Sequence, residues 1–81
     1  MSLAEINDAL IALLKQQLAD DREVKVATDL LSDLALESVQ IMEFIVEVED
    51  HFDIAISLEA LGEIRTIEQL GALVSQTLGK Q

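Results

Sequence analysis

The sequence predicts an all-α fold: a small bundle of three longer helices plus one short helix, with a long first loop. Three observations point there. The 81 residues contain no proline and only two aromatic side chains, both Phe, which leaves strands poorly supported while helix formers abound. Leucine, isoleucine and valine recur at helical spacing. Serine or threonine stands three residues ahead of glutamate or glutamine where two of these runs begin. With 51% hydrophobic residues and no cysteine, residues 1–81 are expected to form a single domain whose core needs neither metal nor disulfide. A domain of this size buries about 60% of its unfolded surface and is only marginally stable.

Ser2 and Glu5 form a capping-box pattern, and Leu3, Ile6, Leu10, Leu13, Leu14 and Leu18 follow at helical spacing. They predict helix one from about Ser2 to Ala19. Asp20-Asp21-Arg22 interrupts the pattern, and the stretch to Glu37 carries scattered Val24, Val26, Leu30, Leu31, Leu34 and Leu36. It reads as a long connection tacked onto the core by its leucines, a length uncommon in so small a domain and often functional. Helix two is expected to open with Ser38 as its N-cap and to run to about Phe52. Ser57 caps a short third helix ending at Gly62, a residue suited to the left-handed conformation past a helix terminus. Thr66 and Gln69 form a second capping box, opening a fourth helix with Ile67, Leu70, Leu73, Val74 and Leu78 that stops near Gly79. Gly71 inside it costs about 1 kcal/mol relative to alanine, which points to close helix packing.

On helix two, at about 100° per residue, the side chains separate into faces. Ile41, Phe44, Ile45, Val48 and Phe52 share the core arc. Val39, Met42 and Val46 fall on a second apolar arc that cannot face the same core, and Glu43, Glu47 and Asp50 form an acidic ridge beside it. An apolar strip rimmed by acids is the expected form of a docking surface. In the alternative, Val39 and Met42 pack beneath the long loop while the acids are merely solvated.

Ser38 is the best place to look for chemistry, but not as a nucleophile with its own machinery. A serine nucleophile needs a base within hydrogen-bond reach. The single imidazole, His51, lies nearly four turns along the same helix and reads as a surface residue near a helix C-terminus. No zinc, calcium-loop, phosphate-loop or dinucleotide pattern is present, so neither a metal site nor catalytic residues are expected. A hydroxyl at a helix start is well placed to carry a phosphate, because the amides and the dipole there favour one.

Charge narrows the partners. Sixteen acidic residues against five basic ones give a net charge of -11, which repels nucleic acid and anionic membranes and favours partners with basic patches. No apolar run approaches a membrane span and the N-terminus lacks the features of a signal peptide, so the expected location is cytoplasmic.

Asp33-Leu34-Ala35-Leu36-Glu37-Ser38-Val39, followed by Glu43, Glu47, Glu49, Asp50, Phe52 and Asp53-Ile54-Ala55-Ile56, resembles the core of an acyl carrier protein. Ile64-Arg65-Thr66-Ile67-Glu68-Gln69-Leu70 resembles the segment leading into that family's last helix. The likeness spans essentially the whole chain. It implies that Ser38 receives a 4'-phosphopantetheine arm from coenzyme A, added by a phosphopantetheinyl transferase, and that the terminal thiol carries an acyl group as a thioester. It also implies that the acyl chain can tuck between the helices. Docking partners would be acyl-transferring, condensing and modifying enzymes with basic patches. They would meet Glu43, Glu47 and Asp50 as acidic contacts, with Val39 and Val46 as apolar ones. Met42, on the same apolar arc, and Glu37, beside the serine, complete the expected docking residues, and the free carrier is expected to be a monomer.

The family usually places aspartate before the serine and leucine after it, where this chain has Glu37 and Val39. Peptidyl carriers usually have glycines ahead of the serine, unlike Ala35-Leu36-Glu37, so a free-standing acyl carrier of fatty-acid, polyketide or related specialised biosynthesis is favoured. An unmodified acidic helical adaptor using the same helix-two surface is the alternative from another class. A small enzyme lacks a credible base and nucleophile pair.

Overall fold

A computed structural model describes residues 2–18 and 22–79. Four helices follow in order: α1 over Leu3–Gln17, α2 over Ser38–Phe52, α3 over Leu58–Leu61 and α4 over Ile67–Gly79. The expected bundle of three longer helices and one short helix is what forms. Among the described residues extended pairing is confined to a single antiparallel bridge between Asp29 and Thr66.

Local hydrogen bonds explain most of the boundaries. The Ser2 hydroxyl accepts from Glu5 N–H at 3.2 Å while the Glu5 carboxylate accepts from Ser2 N–H at 3.1 Å, satisfying two of the donors a helix start leaves orphaned. At the other end Leu18 is already extended, with φ -80° and ψ 138°. Helix one therefore stops short of the expected end, and Ala19 lies outside the described residues. Gln69 N–H donates to Thr66 Oγ1 at 3.1 Å and Thr66 N–H to Gln69 Oε1 at 3.2 Å, the expected second capping box. Ser57 Oγ accepts from Ala60 N–H at 3.2 Å, so it caps α3 as the sequence indicated.

Two local expectations are corrected. Ser38 is not the N-cap of α2: Glu37 holds that position in extended geometry and Ser38 is the first helical residue. The amide oxygen of Gln40 accepts from Glu37 N–H at 3.0 Å, so a residue pair three apart fixes the helix entry one position earlier. Gly62 is right-handed, at φ -63° and ψ -18°, because the chain leaves α3 through further tight turns in which Glu63 N–H donates to Ala60 O and Ile64 N–H to Leu61 O, each at 3.2 Å. Among the described residues the left-handed positions are instead Ala35 and Asp53.

Helix α1 packs against both α4 and α2. Ile6, Leu10 and Leu14 of α1, Phe44 and Val48 of α2, and Ile67, Leu70 and Val74 of α4 are the largest fully buried side chains, each stabilising by about 1.5–3 kcal/mol relative to exposure. The core arc read on helix two is borne out: Phe44, Ile45, Val48 and Phe52 are buried and Ile41 is partly buried against them. Gly71 serves the helix contact, since a Cβ there would overlap the amide of Asn7 on α1. The long connection is pinned by Val24, Leu30, Leu34 and Leu36, all buried, whereas Val26 and Leu31 are exposed. A Cα radius of gyration of 11.7 Å matches the roughly 12 Å of a compact chain of this length, so the loop lies folded onto the helices.

Candidate functional site

The approach to Ser38 is built by the loop. Leu34 and Leu36 are buried on either side of Ala35, which takes φ 52° to let both point inward; for a residue with a Cβ this costs about 1–2 kcal/mol. Arg22 Nη1 donates to Leu34 O at 2.7 Å, and Leu36 N–H donates to Leu30 O at 3.2 Å. These ties fix the backbone just ahead of α2. Ser38 then emerges exposed at the first position of a fifteen-residue helix. Its hydroxyl accepts or donates no hydrogen bond among the described residues, since the cap belongs to Glu37 and Gln40.

Intramolecular catalysis does not fit this geometry. His51 is exposed on the last turn of α2 with its ring edge to face against Phe52, 4.8 Å between centroids. Thirteen residues of helix place it about 20 Å along the axis from Ser38. Among the described residues no group of three or more His, Asp or Glu side chains is arranged to hold a metal ion.

Along α2 the second arc faces solvent. Val39, Met42 and Val46 are 62%, 59% and 53% exposed, which excludes the alternative that Val39 and Met42 pack beneath the loop. Together with Glu43, Glu47 and Gln17 they line an open groove of about 520 Å³. Glu37, Glu43, Glu47 and Asp50 are all exposed, so the structure brings every residue of the expected docking surface onto one side of α2 or its entry. Glu49 is different: its Oε2 accepts from Ile56 N–H at 2.9 Å and braces the turn after α2. Gln17 was not foreseen, because only packing decides which face of α2 the end of α1 meets.

A second concavity opens on the other side of α2. Leu30 and Leu31 of the loop, Ile41 and Ile45 of α2, and Leu61 and Ile64 around α3 enclose it, with Gly62 and Arg65 at its edge; its volume is about 180 Å³. Its α2 wall begins at Ile41, one helical turn past Ser38.

Residues 8–74 match the family model described as the phosphopantetheine attachment site. The chain belongs to the acyl carrier protein family. A curated relative from Caulobacter vibrioides named probable acyl carrier protein is 35% identical over 75 residues, covering 93% of this chain and 83% of the relative. A Mycobacterium tuberculosis structure, provisionally assigned as an acyl carrier protein, is 31% identical with a TM-score of 0.81, over 88% of this chain and 96% of that one. The solution structure of holo acyl carrier protein from Geobacter metallireducens is 28% identical with a TM-score of 0.79, over 93% and 87%. This acyl carrier is therefore a carrier and not an enzyme, and its covalent cofactor is 4'-phosphopantetheine. Carriers of this family work with a phosphopantetheinyl transferase and with partner enzymes. No helix among the described residues is long and apolar enough to cross a membrane.

Proposed function

We propose that Ser38 is the residue that takes the arm, and that the loaded protein presents acyl thioesters to acyl-transferring, condensing and modifying enzymes of fatty-acid, polyketide or related specialised biosynthesis. One observation carries this reading: an exposed serine hydroxyl without a hydrogen-bond partner among the described residues, at the first position of α2. In the active site of the transferase, Ser38 Oγ attacks the β-phosphorus of coenzyme A. The new Oγ–P bond replaces the bond to the departing adenosine 3',5'-bisphosphate, and the hydroxyl proton passes to the transferase. The resulting phosphodiester anion sits at the positive end of the α2 dipole, an arrangement helix starts favour. The arm supplies the thiol that this cysteine-free chain lacks.

The chain's own side chains then do two things. The cavity beyond Ile41 shelters the apolar part of the cargo, and the strip of Val39, Met42 and Val46 with Glu37, Glu43, Glu47 and Asp50 meets basic patches on partners. Residues 1–81 act as one domain, monomeric between encounters and working in the cytoplasm.

Mass spectrometry after incubation with coenzyme A and a broad-range transferase tests the anchor. The expected result is a gain of one phosphopantetheine on the wild type and none on Ser38→Ala. No gain with several transferases would overturn the assignment, as would a gain that persists in the variant. If Ser38→Ala retained full function with partner enzymes, the protein would be an unmodified adaptor.

A further inference from the structure

The long loop and the segment entering α4 are joined by a clasp at the edge of the cavity beside α2. Arg65 Nη2 lies 2.9 Å from Asp29 Oδ2. Leu30 N–H donates to Arg65 O at 2.7 Å, Glu68 N–H donates to Val26 O at 2.9 Å, and Asp29 bridges to Thr66. Each tie connects the two strips that carry the outer walls of the cavity: Leu30 and Leu31 directly follow Asp29, and Ile64 directly precedes Arg65, which itself lines the cavity. The carboxylate is pre-oriented for the pair, because Asp29 Oδ1 accepts from Leu31 and Ser32 N–H at 2.9 Å each, leaving Oδ2 for the guanidinium.

We propose that the Asp29–Arg65 clasp sets the length of acyl chain this carrier shelters, with a limit at about six carbons, since a cavity near 150 Å³ holds one benzene. The inference rests on Ser38 as the anchor of the arm. With about 180 Å³ available, a longer chain has to move a wall. The α2 wall does not yield: Ile45 is 5% exposed, and Phe44 and Val48 on the same helix are fully buried in an interior packed as densely as an organic crystal. The outer wall is the loop, α3 with Leu61 and Gly62, and the α4 entry, and the clasp is what ties the loop to the α4 entry on either side of α3. The Arg65 side chain is 54% exposed, so the ion pair shifts the opening equilibrium modestly, up to about fivefold. It therefore acts as a graded limit and not an absolute one.

The test uses the holo protein loaded with butanoyl, hexanoyl, octanoyl or dodecanoyl groups, each confirmed by mass. Hydrolysis of each thioester is compared with that of the same acyl pantetheine free in solution. In the wild type, protection is expected to rise from butanoyl to hexanoyl and stop there. In Arg65→Gln the rise continues to octanoyl, whose half-life lengthens up to about fivefold over wild type, while Arg65→Lys keeps the hexanoyl limit. Asp29→Asn, which retains the acceptor for Leu31 and Ser32, gives the same extension as Arg65→Gln and guards against a folding defect in one variant. Wild-type protection that climbs evenly through dodecanoyl overturns the proposal, and so do Arg65→Gln and Asp29→Asn profiles that superimpose on wild type. Absence of any arm on Ser38 overturns the anchor assignment and the clasp together, and is read separately from the hydrolysis profiles by mass.

Discussion

Gly71 on α4 and Asn7 on α1 decide how closely the two helices approach. The Asn7 amide oxygen is buried without a hydrogen-bond partner among the described residues, an arrangement that costs stability. It lies where a Cβ on residue 71 would go. In an open helix, Gly→Ala would stabilise by about 1 kcal/mol; here the added methyl overpacks a helix contact, which costs about 1–3 kcal/mol. Gly71→Ala is expected to lower the urea-unfolding free energy by up to about 2 kcal/mol, the overpacking less the helix-propensity gain. Adding Asn7→Ala should return most or all of it, since the second change removes both the clash and the unpaired amide. A stabilised Gly71→Ala single variant would show that the Asn7 amide gives way to the methyl and does not limit the approach of α1 and α4.

At the scale of the element, α2 divides its acids by job. Glu43 and Glu47 are exposed beside the apolar strip, while Glu49 holds the turn that follows through Ile56 N–H. Charge reversal at Glu43 or Glu47 is expected to slow association with a carrier-dependent enzyme by about three- to tenfold at low salt. The difference should fade as salt is raised, because steering acts through a screened field. Glu49→Ala should instead lower stability by about 1–2 kcal/mol through the lost partner of a part-buried N–H, with little change in association rate. Stopped-flow association across a salt series separates the two, and a slowdown in the Glu43 variant that is independent of salt would refute the electrostatic account.

Across the whole molecule a net charge of -11 makes the compact state repel itself. Added salt, from about 0.05 to about 0.5 M, is expected to raise Tm; a flat or falling Tm would show that acidic crowding is not limiting. Acid brings two opposing effects. Protonating carboxylates relieves repulsion, but among the described residues two carboxyls depend on staying ionised. Asp29 is held below its ordinary 3.8 chiefly by the Ser32 N–H, then by the Leu31 N–H and Arg65. Glu5 is held below 4.5 by the Ser2 N–H and then by its hydroxyl. A carboxyl depressed in the folded state stabilises above its unfolded value, and that contribution is lost as pH falls through the folded one. Tm is therefore expected to rise as pH drops from 7 toward about 5 and to fall below about 4. A Tm that declines steadily from pH 7 downward would mean that self-repulsion is unimportant.

Much of this was legible along the chain. The capping boxes at Ser2 and Thr66, the cap at Ser57, the core arc of α2 and the exposed strip of Val39, Met42 and Val46 all come from interactions within one turn or from a periodicity one helix imposes. The misplaced cap at Ser38 was a close local competition, in which the Glu37 and Gln40 pair won over a hydroxyl one position later. Ala35 gave no warning of its left-handed backbone, because what forces it is the burial of Leu34 and Leu36 against distant helices. Leu31 was expected as a core anchor with the other leucines and Val24 was not, yet in a non-periodic segment nothing local says which apolar residues turn inward.

The sequence by itself determined the four helices, the serine at the head of α2 and the acid-rimmed strip behind it, since each rests on contacts between residues three or four apart. Only the tertiary structure decided that Gln17 joins the groove beside that strip, that Gly71 makes room for Asn7, and that the loop closes on Arg65 to bound a cavity beside α2. Those features join segments far apart in the chain, and their geometry is set when the whole core packs, not by any one stretch of residues.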